Sequence, residues 1–439
     1  MQQYQTFEFI ALSMNYRAKI ILLWVPIIFL SLSACSEKQE SVPDFSVANT
    51  GPYILNVSHL DLVKSNLDDP LMQQEYNRLI EGADMLAARN DFQFVTDKTH
   101  IPPSGDIHDY MSIARYLWPD GSGVYTINRD GITNPEIYNY DRPKLADVTS
   151  AIYTLSLAWY FSDNELYARK ASELIHGWFL DEATRMNPNM NHAQVAKGVN
   201  TGELQGIIDA NDFIQVIEAV GLIYDSAYWT HSSHIRLKEW FYHFSRWYVR
   251  RYNADAFCSD TWCNNVSTWM DVQRASIFLF TEQEDLLNSA SHILPIQTKI
   301  AKQIAFDGTQ SFERQRNLSQ HYVYFNLRAF MNIALIRKNR TGNDRDWPYL
   351  QNSEYGGLKP ALDIIANYLG GADVAGFFVV NPEFNTCRYV EIFRPAAILF
   401  DSPVYDQAAH SLIDQGCSDP DILLTFPPLL MLQEQFETN

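Results

Sequence analysis

The sequence predicts a protein dominated by α-helices that pair as successive hairpins. Apolar side chains recur every three or four residues along much of the chain, which is the spacing that buries one face of a helix. The predicted helices are also similar in length and joined by short turns, as in antiparallel helical pairs. The clearest segments are 145–162, 164–180, 212–229, 234–252, 267–281, 285–304 and 316–339.

Local signals support individual elements. The first two segments are separated by Ser162 and Asp163, a cap-like break that favours ending one helix and starting the next. The last segment, 316–339, is the longest. Periodicity predicts hairpins, but it does not establish that the hairpins close into a ring.

The amino-terminal residues predict export. Arg17 and Lys19 precede the apolar run 20–34, which is typical of a signal peptide and too short for a membrane span. The run ends in LSAC, which resembles the bacterial lipoprotein cleavage box, so Cys35 is predicted to carry a lipid anchor in the membrane. No aspartate follows it to favour inner-membrane retention, which predicts an outer-membrane lipoprotein in the periplasm or at the cell surface; a plain signal-anchor is the alternative. The predicted organisation is an extension and signal peptide at 1–34, a lipid-anchored tether at 35–51, and one domain at 52–439.

Charge and cysteine content limit the partners and cofactors. The 439 residues carry a net charge of −19, which argues against binding nucleic acid and means that an anionic ligand needs a local basic patch. Apart from Cys35, four cysteines remain, for which three pairings are possible. The simplest is Cys258 with Cys263 and Cys387 with Cys417. No cysteine spacing indicates a zinc site, and neither a metal nor another cofactor is expected.

Four segments are dense in polar and aromatic side chains: 108–131, 183–209, 262–273 and 307–327. Their motifs are HDY…YLWPD…RDG, TRMNPNMNHAQ, NN…TW…Q and DG…ER-QR…HYVYFNL. Together they resemble the alginate lyase family of polysaccharide lyases, over most of residues 100–345. The resemblance implies that the hairpins form an (α/α) toroid or incomplete barrel. It also implies cleavage of an anionic uronic-acid polysaccharide by β-elimination, without metal or water.

The implied chemistry assigns roles to particular residues. Elimination requires the sugar carboxylate to be neutralised, the C5 proton to be removed and the leaving oxygen to be protonated. Asn265 is the candidate neutraliser, and Asn264 the candidate helix cap with a place in the sugar site. Tyr322 is the candidate for proton transfer, with Arg316 expected to lower its pKa from about 10. Because these two lie six residues apart, they can face one cavity only if the helix start is loosened.

Val266 departs from the family, which commonly has a histidine after the asparagine pair. One consequence is loss of catalysis with binding retained. The other, which we favour, is a reaction restricted to mannuronate or glucuronate, where one tyrosine can remove and donate the proton on the same side of the sugar. His321 and His192 are candidates to compensate. A hydrolase that uses two of Asp209, Asp271 and Asp307 is the remaining alternative, although their spacing singles out no pair.

Further residues are predicted to contact the sugar chain. Some are neutral polar groups, some are cations that could pair with the carboxylates of the polymer, and some are aromatic rings that could stack on sugars. In that order they are Asn191, His192 and Gln194; Arg129, Arg185 and Lys197; and Tyr110, Trp118 and Trp269.

Overall fold

Helices in this computed structural model alternate between two layers along the chain. The structure describes residues 42–46, 50–252, 256–259, 261–288, 296–341 and 356–437. The first helices are α1 (Val57–Ser65), α2 (Pro70–Ala88), α3 (Asp141–Ser162), α4 (Glu165–Ile175) and α5 (Asp212–Leu222). The next are α6 (His231–Arg251), α7 (Asn265–Phe280), α8 (Glu284–Asn288), α9 (Ile296–Gln303) and α10 (Ser319–Thr341). The last are α11 (Leu358–Leu369), α12 (Val390–Phe400), α13 (Pro403–Asp414), α14 (Pro420–Leu423) and α15 (Leu429–Glu437).

Helices α3, α5, α7, α10 and α12 form the inner layer, because each packs against the next in that order. The helices between them pack on the outside: α2 and α4 against α3, α6 against α7, and α13 against α12. In α7 every residue except Val266 is buried, as expected of a helix enclosed on all sides. The predicted (α/α) toroid is confirmed.

The predicted helices agree with the observed ones in place more than in length. The segment predicted at 212–229 ends at Leu222, and the one at 285–304 consists of α8 and α9 with residues 289–295 outside the described part. The segment predicted at 316–339 begins at Ser319. Arg316 therefore precedes the helix, which confirms the loosened start that lets it meet Tyr322. Helices α1, α2 and α11–α15 were not predicted.

Two small sheets join the polar segments near the toroid. Strand β1 (Met111–Ile113) pairs in parallel with β4 (His192–Val195), and β2 (Leu117–Pro119) pairs antiparallel with β3 (Tyr125–Asn128). After β3 the chain turns at Gly131, whose φ is +84° and where a Cβ would lie 2.9 Å from the Leu318 side chain. A glycine therefore allows this turn to approach the start of α10 closely.

Both predicted disulfides are confirmed: Cys258 is bonded to Cys263, and Cys387 to Cys417. The first immediately precedes Asn264, and the second lies beside Arg388.

The compact unit begins at Pro43, within the segment predicted as tether. Phe45 is buried with its ring 5.9 Å from that of Tyr242, and Ser46 bonds to Glu282. Cys35 and the predicted signal peptide lie outside the described residues. Within the described ranges, no helix combines the length and apolar character needed to cross a membrane.

Candidate active site

The hydroxyl of Tyr322 lies at the centre of a hydrogen-bonded network beside the first turn of α10. It accepts a hydrogen bond from Arg316 Nη2 at 2.7 Å and donates one to the Tyr116 hydroxyl at 2.8 Å. The side chain is 7% exposed, so it is nearly enclosed while its hydroxyl remains in a polar setting. Tyr116 comes from the segment before β2 and is half-buried.

Arg316 is held in place by Asp130. Its Nη2 lies 2.6 Å from Asp130 Oδ1 and its Nε 3.1 Å from Oδ2, a bidentate arrangement that fixes the guanidinium plane. The guanidinium carbon also lies 3.7 Å from the centre of the Tyr322 ring. Burial by itself would raise the pKa of Asp130, but the bonds from Arg316 and the Asn317 backbone outweigh it and hold that pKa below its usual range. Asp130 therefore remains ionised and orients Arg316.

The structure corrects the expected pKa of Tyr322. Arg316 does favour the phenolate, but burial has the larger effect and the neighbouring Tyr116 adds to it, so the pKa of Tyr322 lies well above 10. The resting side chain is consequently a neutral phenol. The sequence pattern could not show this, because burial depends on the surrounding elements.

Asn265 lies at the start of α7 and binds a buried carboxylate. Its backbone N–H donates to Glu313 Oε1 at 2.6 Å, and its Nδ2 donates to Oε2 at 2.8 Å. Asn264 is the N-cap of α7, since its side chain accepts from the Val266 N–H, as predicted. The backbone carbonyl of Glu313 also accepts a hydrogen bond from the backbone N–H of Arg316 at 3.1 Å. This bond links the Asn265 part of the site to the Tyr322 part.

A basic cluster surrounds His321, the residue before Tyr322. Arg388 Nη1 lies 3.5 Å from its Nδ1, and the pKa of His321 is lowered to about 4 by burial and by the fields of Arg388, Arg115 and Arg316. Arg115 and Arg388 are exposed, and in the described part of the chain neither is paired with a carboxylate. A protein of net charge −19 thus presents positive charge beside Tyr322, as an anionic substrate requires.

Comparison with known proteins identifies the family. The alginate lyase family model matches residues 94–374. The chain belongs to the alginate lyase family. The crystal structure of an alginate lyase from Bacteroides ovatus is 29% identical, with a TM-score of 0.76, covering 86% of this chain and 99% of that one.

More distant members share the fold. A histidine-to-alanine variant of alginate lyase A1-III, complexed with tetrasaccharide, is 15% identical with a TM-score of 0.56, over 88% of this chain and 99% of that one. A tyrosine-to-phenylalanine variant of the same lyase, also complexed with tetrasaccharide, is 14% identical with a TM-score of 0.53, over 84% and 94%. No curated protein sequence matches significantly. As a member of this family, the protein is a polysaccharide lyase.

Val266, the departure from the family pattern, is partly buried and packs against the main hydrophobic core. It offers no group that could exchange a proton. His321 is the nearer candidate to compensate, and its low pKa makes it a neutral imidazole at pH 7. His192 is engaged elsewhere, since its Nδ1 bonds to the Thr201 carbonyl at 2.8 Å and its Nε2 lies 3.9 Å from Asp109.

Two aromatic residues predicted to stack on sugars belong to the core, which corrects the prediction. Tyr110 is fully buried and donates to Asp209 at 3.0 Å. Trp269 is 4% exposed and packs on Phe325, with ring centres 5.0 Å apart. Both occur in motifs with polar neighbours, and only the packing of α7 and the small sheets shows that their rings face inward.

Other predicted contacts lie at the surface. Asn191 is exposed and accepts from the Trp247 indole, whereas Gln194 is half-buried near Asp209. Trp118 is half-buried, with the exposed Arg129 guanidinium 4.7 Å from its ring centre.

The remaining two predicted cations have surroundings that share no residue with the Tyr322 network. Lys197 forms an ion pair with Glu136 at 2.7 Å, which neutralises its charge. Arg185 is exposed and lines a separate pocket beside Arg236 and Trp240, and no residue lining that pocket belongs to the network around Tyr322.

The three aspartates of the hydrolase alternative have separate partners. Asp209 bonds to Tyr110 and Ser112, Asp271 pairs with Lys299 at 2.8 Å, and Asp307 accepts from the Thr309 N–H. Among the described residues, no group of three or more histidine, cysteine or carboxylate side chains is arranged to hold a metal.

Five residues of the site were not singled out from the sequence: Tyr116, Asp130, Glu313, Arg115, which directly precedes the YLWPD motif, and Arg388. The first three lie in the quoted motifs, in YLWPD, RDG and ER-QR, so a motif signal existed without an assigned role. Arg388 lies beyond the region of resemblance, and only the packing of the 3₁₀ turn Thr386–Tyr389 beside α10 reveals it.

Proposed function

We propose that this polysaccharide lyase cleaves alginate, preferring mannuronate-rich stretches, with glucuronan as the alternative substrate, by syn β-elimination. The observation that carries the proposal is the Tyr322 hydroxyl, held between Arg316 Nη2 at 2.7 Å and the Tyr116 hydroxyl at 2.8 Å. It is a single acid–base group with a cation on one side and a proton acceptor on the other. Val266 supplies no second base at the position where the family commonly has a histidine.

In the proposed mechanism, the sugar carboxylate is neutralised before the proton is removed. The Asn265 amide has a second N–H besides the one bound to Glu313, and this donates to the carboxylate. Arg115 and Arg388 attract the polyanion toward Tyr322. Withdrawing charge from the carboxylate lets negative charge build up on the C5 carbanion as an enolate-like state.

Tyr322 then performs both proton transfers. The phenol loses its proton through the Tyr116 hydroxyl to solvent, and Arg316 stabilises the phenolate. The phenolate takes the C5 proton, the C4–C5 double bond forms as the C4–oxygen bond breaks, and Tyr322 returns the proton to the departing oxygen. One hydroxyl can serve both steps only if the proton and leaving oxygen lie on the same side, as in mannuronate and glucuronate.

The test measures the ultraviolet absorbance of the unsaturated product with polymannuronate, polyguluronate and glucuronan in parallel. We expect activity on polymannuronate or glucuronan, and we expect Tyr322→Phe to lose at least about 100-fold in kcat because it removes the acid–base group. Tyr138→Phe is the matched control, since that tyrosine is 70% exposed and outside the site. Activity on polyguluronate alone would exclude the syn mechanism, and an unchanged rate in Tyr322→Phe would exclude this tyrosine.

We also propose that the protein is an exported lipoprotein anchored through Cys35 in the outer membrane. The support is the sequence alone: a basic start, an apolar run and the LSAC box. Metabolic labelling with a radioactive fatty acid tests it in a bacterial host. Wild type should be labelled and found in the membrane fraction, whereas Cys35→Ala should be unlabelled; labelling of both variants would refute attachment at this cysteine.

A further inference from the structure

Glu313 is a buried carboxylate to which the proposed mechanism gives no role. It is 1% exposed and lies in the segment that leads to α10. Its two oxygens each accept one hydrogen bond from the same residue, the backbone N–H and the Nδ2 of Asn265. Burying an acid beside a site for an anionic polymer is costly in free energy, so its presence calls for a specific role.

The partners of Glu313 determine the orientation of the Asn265 amide. An ionised carboxylate can only accept hydrogen bonds, so it binds the amide nitrogen and repels the amide oxygen. The nitrogen has a second hydrogen left for the substrate. If the amide were flipped, its oxygen would occupy the nitrogen's place, and that oxygen would repel a sugar carboxylate.

We propose that Glu313 is a positioning residue for the elimination reaction, whose ionised carboxylate holds the Asn265 amide in the orientation that donates to the sugar carboxylate. This inference rests on the proposed function, since it concerns how the same site neutralises its substrate. Glu313 acts through Asn265 and does not touch the sugar.

The orientation is then sensitive to pH. Burial raises the pKa of Glu313 to about 7, although the bonds from Asn265 and the charge of Arg316 oppose the increase. Among the described residues, Arg316 is the charged group that acts on Glu313. Protonated Glu313 can donate to the amide oxygen and so permits the flipped orientation. Wild-type kcat/KM should therefore show a step near pH 7, where Glu313 ionises, superimposed on the steady increase in Tyr322 phenolate, whose pKa lies well above this range; His321 titrates below it.

Glu313→Gln tests the proposal without removing volume. Its amide oxygen can accept the Asn265 backbone N–H while its nitrogen donates to a flipped Asn265 oxygen, so the variant should fold and stabilise the unproductive orientation. We expect kcat to fall roughly 10- to 100-fold, the size expected from misdirecting one charge-assisted hydrogen bond, with little change in KM and no step near pH 7. Glu313→Asp keeps the carboxylate and should retain the step at an intermediate rate.

Two comparisons separate positioning from general damage. Glu75→Gln is the matched control, because Glu75 is equally buried at 1% but bonds to Arg78 and Ser418 away from the site. It should keep the step near pH 7. In the background of Asn265→Ala, adding Glu313→Gln should cost nothing further, because the group it orients is gone. A full additional loss in the double variant, or a wild-type pH profile in Glu313→Gln, would overturn the proposal.

A second readout does not depend on activity. In protein labelled with ¹⁵N-asparagine, the Asn265 side-chain amide signal should shift with a midpoint near pH 7 in wild type and stay constant in Glu313→Gln. If wild type cleaves no polymer, the proposed function fails while this titration still tests the Glu313–Asn265 coupling. An amide signal that is unaffected by pH in wild type would refute the coupling even in an active enzyme.

Discussion

Asp130 shows how a single carboxylate can set the geometry of the site without facing the substrate. It makes two hydrogen bonds to the Arg316 guanidinium and accepts the Asn317 N–H, so it fixes both the side chain and the backbone just before α10. Arg316 in turn is in contact with the Tyr322 hydroxyl. At the scale of residues, Tyr322, the proposed acid–base group, is therefore positioned by successive charge-assisted hydrogen bonds.

We predict that Asp130→Asn lowers kcat/KM by about 10- to 100-fold, because it removes the charge and leaves an N–H group facing Arg316 or the Asn317 N–H. Initial rates with polymannuronate measure the effect. Asp225→Asn, an exposed aspartate outside the site, is the control and should be neutral. Wild-type kcat/KM in Asp130→Asn would show that Arg316 is oriented by other contacts.

At the scale of elements, two inner helices hold the segment that precedes α1. Glu218 on α5 accepts the N–H groups of Tyr53, Ile54 and Leu55 at 2.9–3.0 Å. Asn339 on α10 donates to the carbonyls of the same three residues. One acceptor and one donor thus satisfy the backbone N–H and C=O groups of a buried bend, which ties residues 53–55 to both α5 and α10.

We predict that Glu218→Ala lowers the free energy of unfolding by about 3 kcal/mol or more, because it leaves three buried N–H groups without an acceptor. Urea denaturation measures this, and hydrogen exchange should show faster exchange at residues 53–55. Glu182→Ala, at an exposed glutamate, should change neither. Unchanged protection from hydrogen exchange at residues 53–55 would mean that the hydrogen bonds from Glu218 do not hold this segment.

The molecule as a whole buries ionisable groups of both kinds, which oppose each other in their dependence on pH. Burial raises the pKa values of four carboxyl groups to about 6 or 7: Glu218, Glu313, Asp419 and Asp421. Burial lowers the pKa values of three histidines to about 4: His59, His234 and His321. For the carboxyl groups the folded state binds protons more tightly than the unfolded state. Their contribution to the free energy of unfolding is therefore lost as the pH rises from about 4 to about 7. For the histidines the unfolded state binds protons more tightly than the folded state. Their contribution to the free energy of unfolding is therefore lost as the pH falls from about 6.5 to about 4.

We predict that the protein is more stable at pH 6.5 than at pH 8, by about 1–3 kcal/mol. In this interval the buried carboxyl groups lose their protons in the folded state and lower the stability, whereas the three histidines, still half protonated at pH 6.5 in the unfolded state, offset only part of that loss. Urea midpoints at the two values measure the difference, and Glu313→Gln should reduce it. A midpoint that rises between pH 6.5 and pH 8 would contradict the prediction.

The sequence predicted much of the fold and part of the site. Helical spacing located four of the five inner helices described, α3, α5, α7 and α10, and the asparagine pair and the Arg316–Tyr322 spacing located the central residues, because these signals are local. It misplaced Tyr110 and Trp269, whose neighbours in sequence are polar while their neighbours in space are not. It assigned no role to Arg388, which reaches the site only through the folding of the carboxyl-terminal part onto α10.

By itself, then, the sequence determined the helical class and the family, and it identified Tyr322, Arg316 and Asn265 as candidate site residues, since periodicity and short motifs are local patterns. Only the tertiary structure decided their chemical state. Burial keeps Tyr322 a neutral phenol, and its contacts come from remote segments: Asp130 lies 186 residues from Arg316, Tyr116 lies 206 from Tyr322, and Glu313 lies 48 from Asn265. The physical reason is that protonation and hydrogen-bond orientation depend on dielectric surroundings and partners in space, which no local pattern encodes.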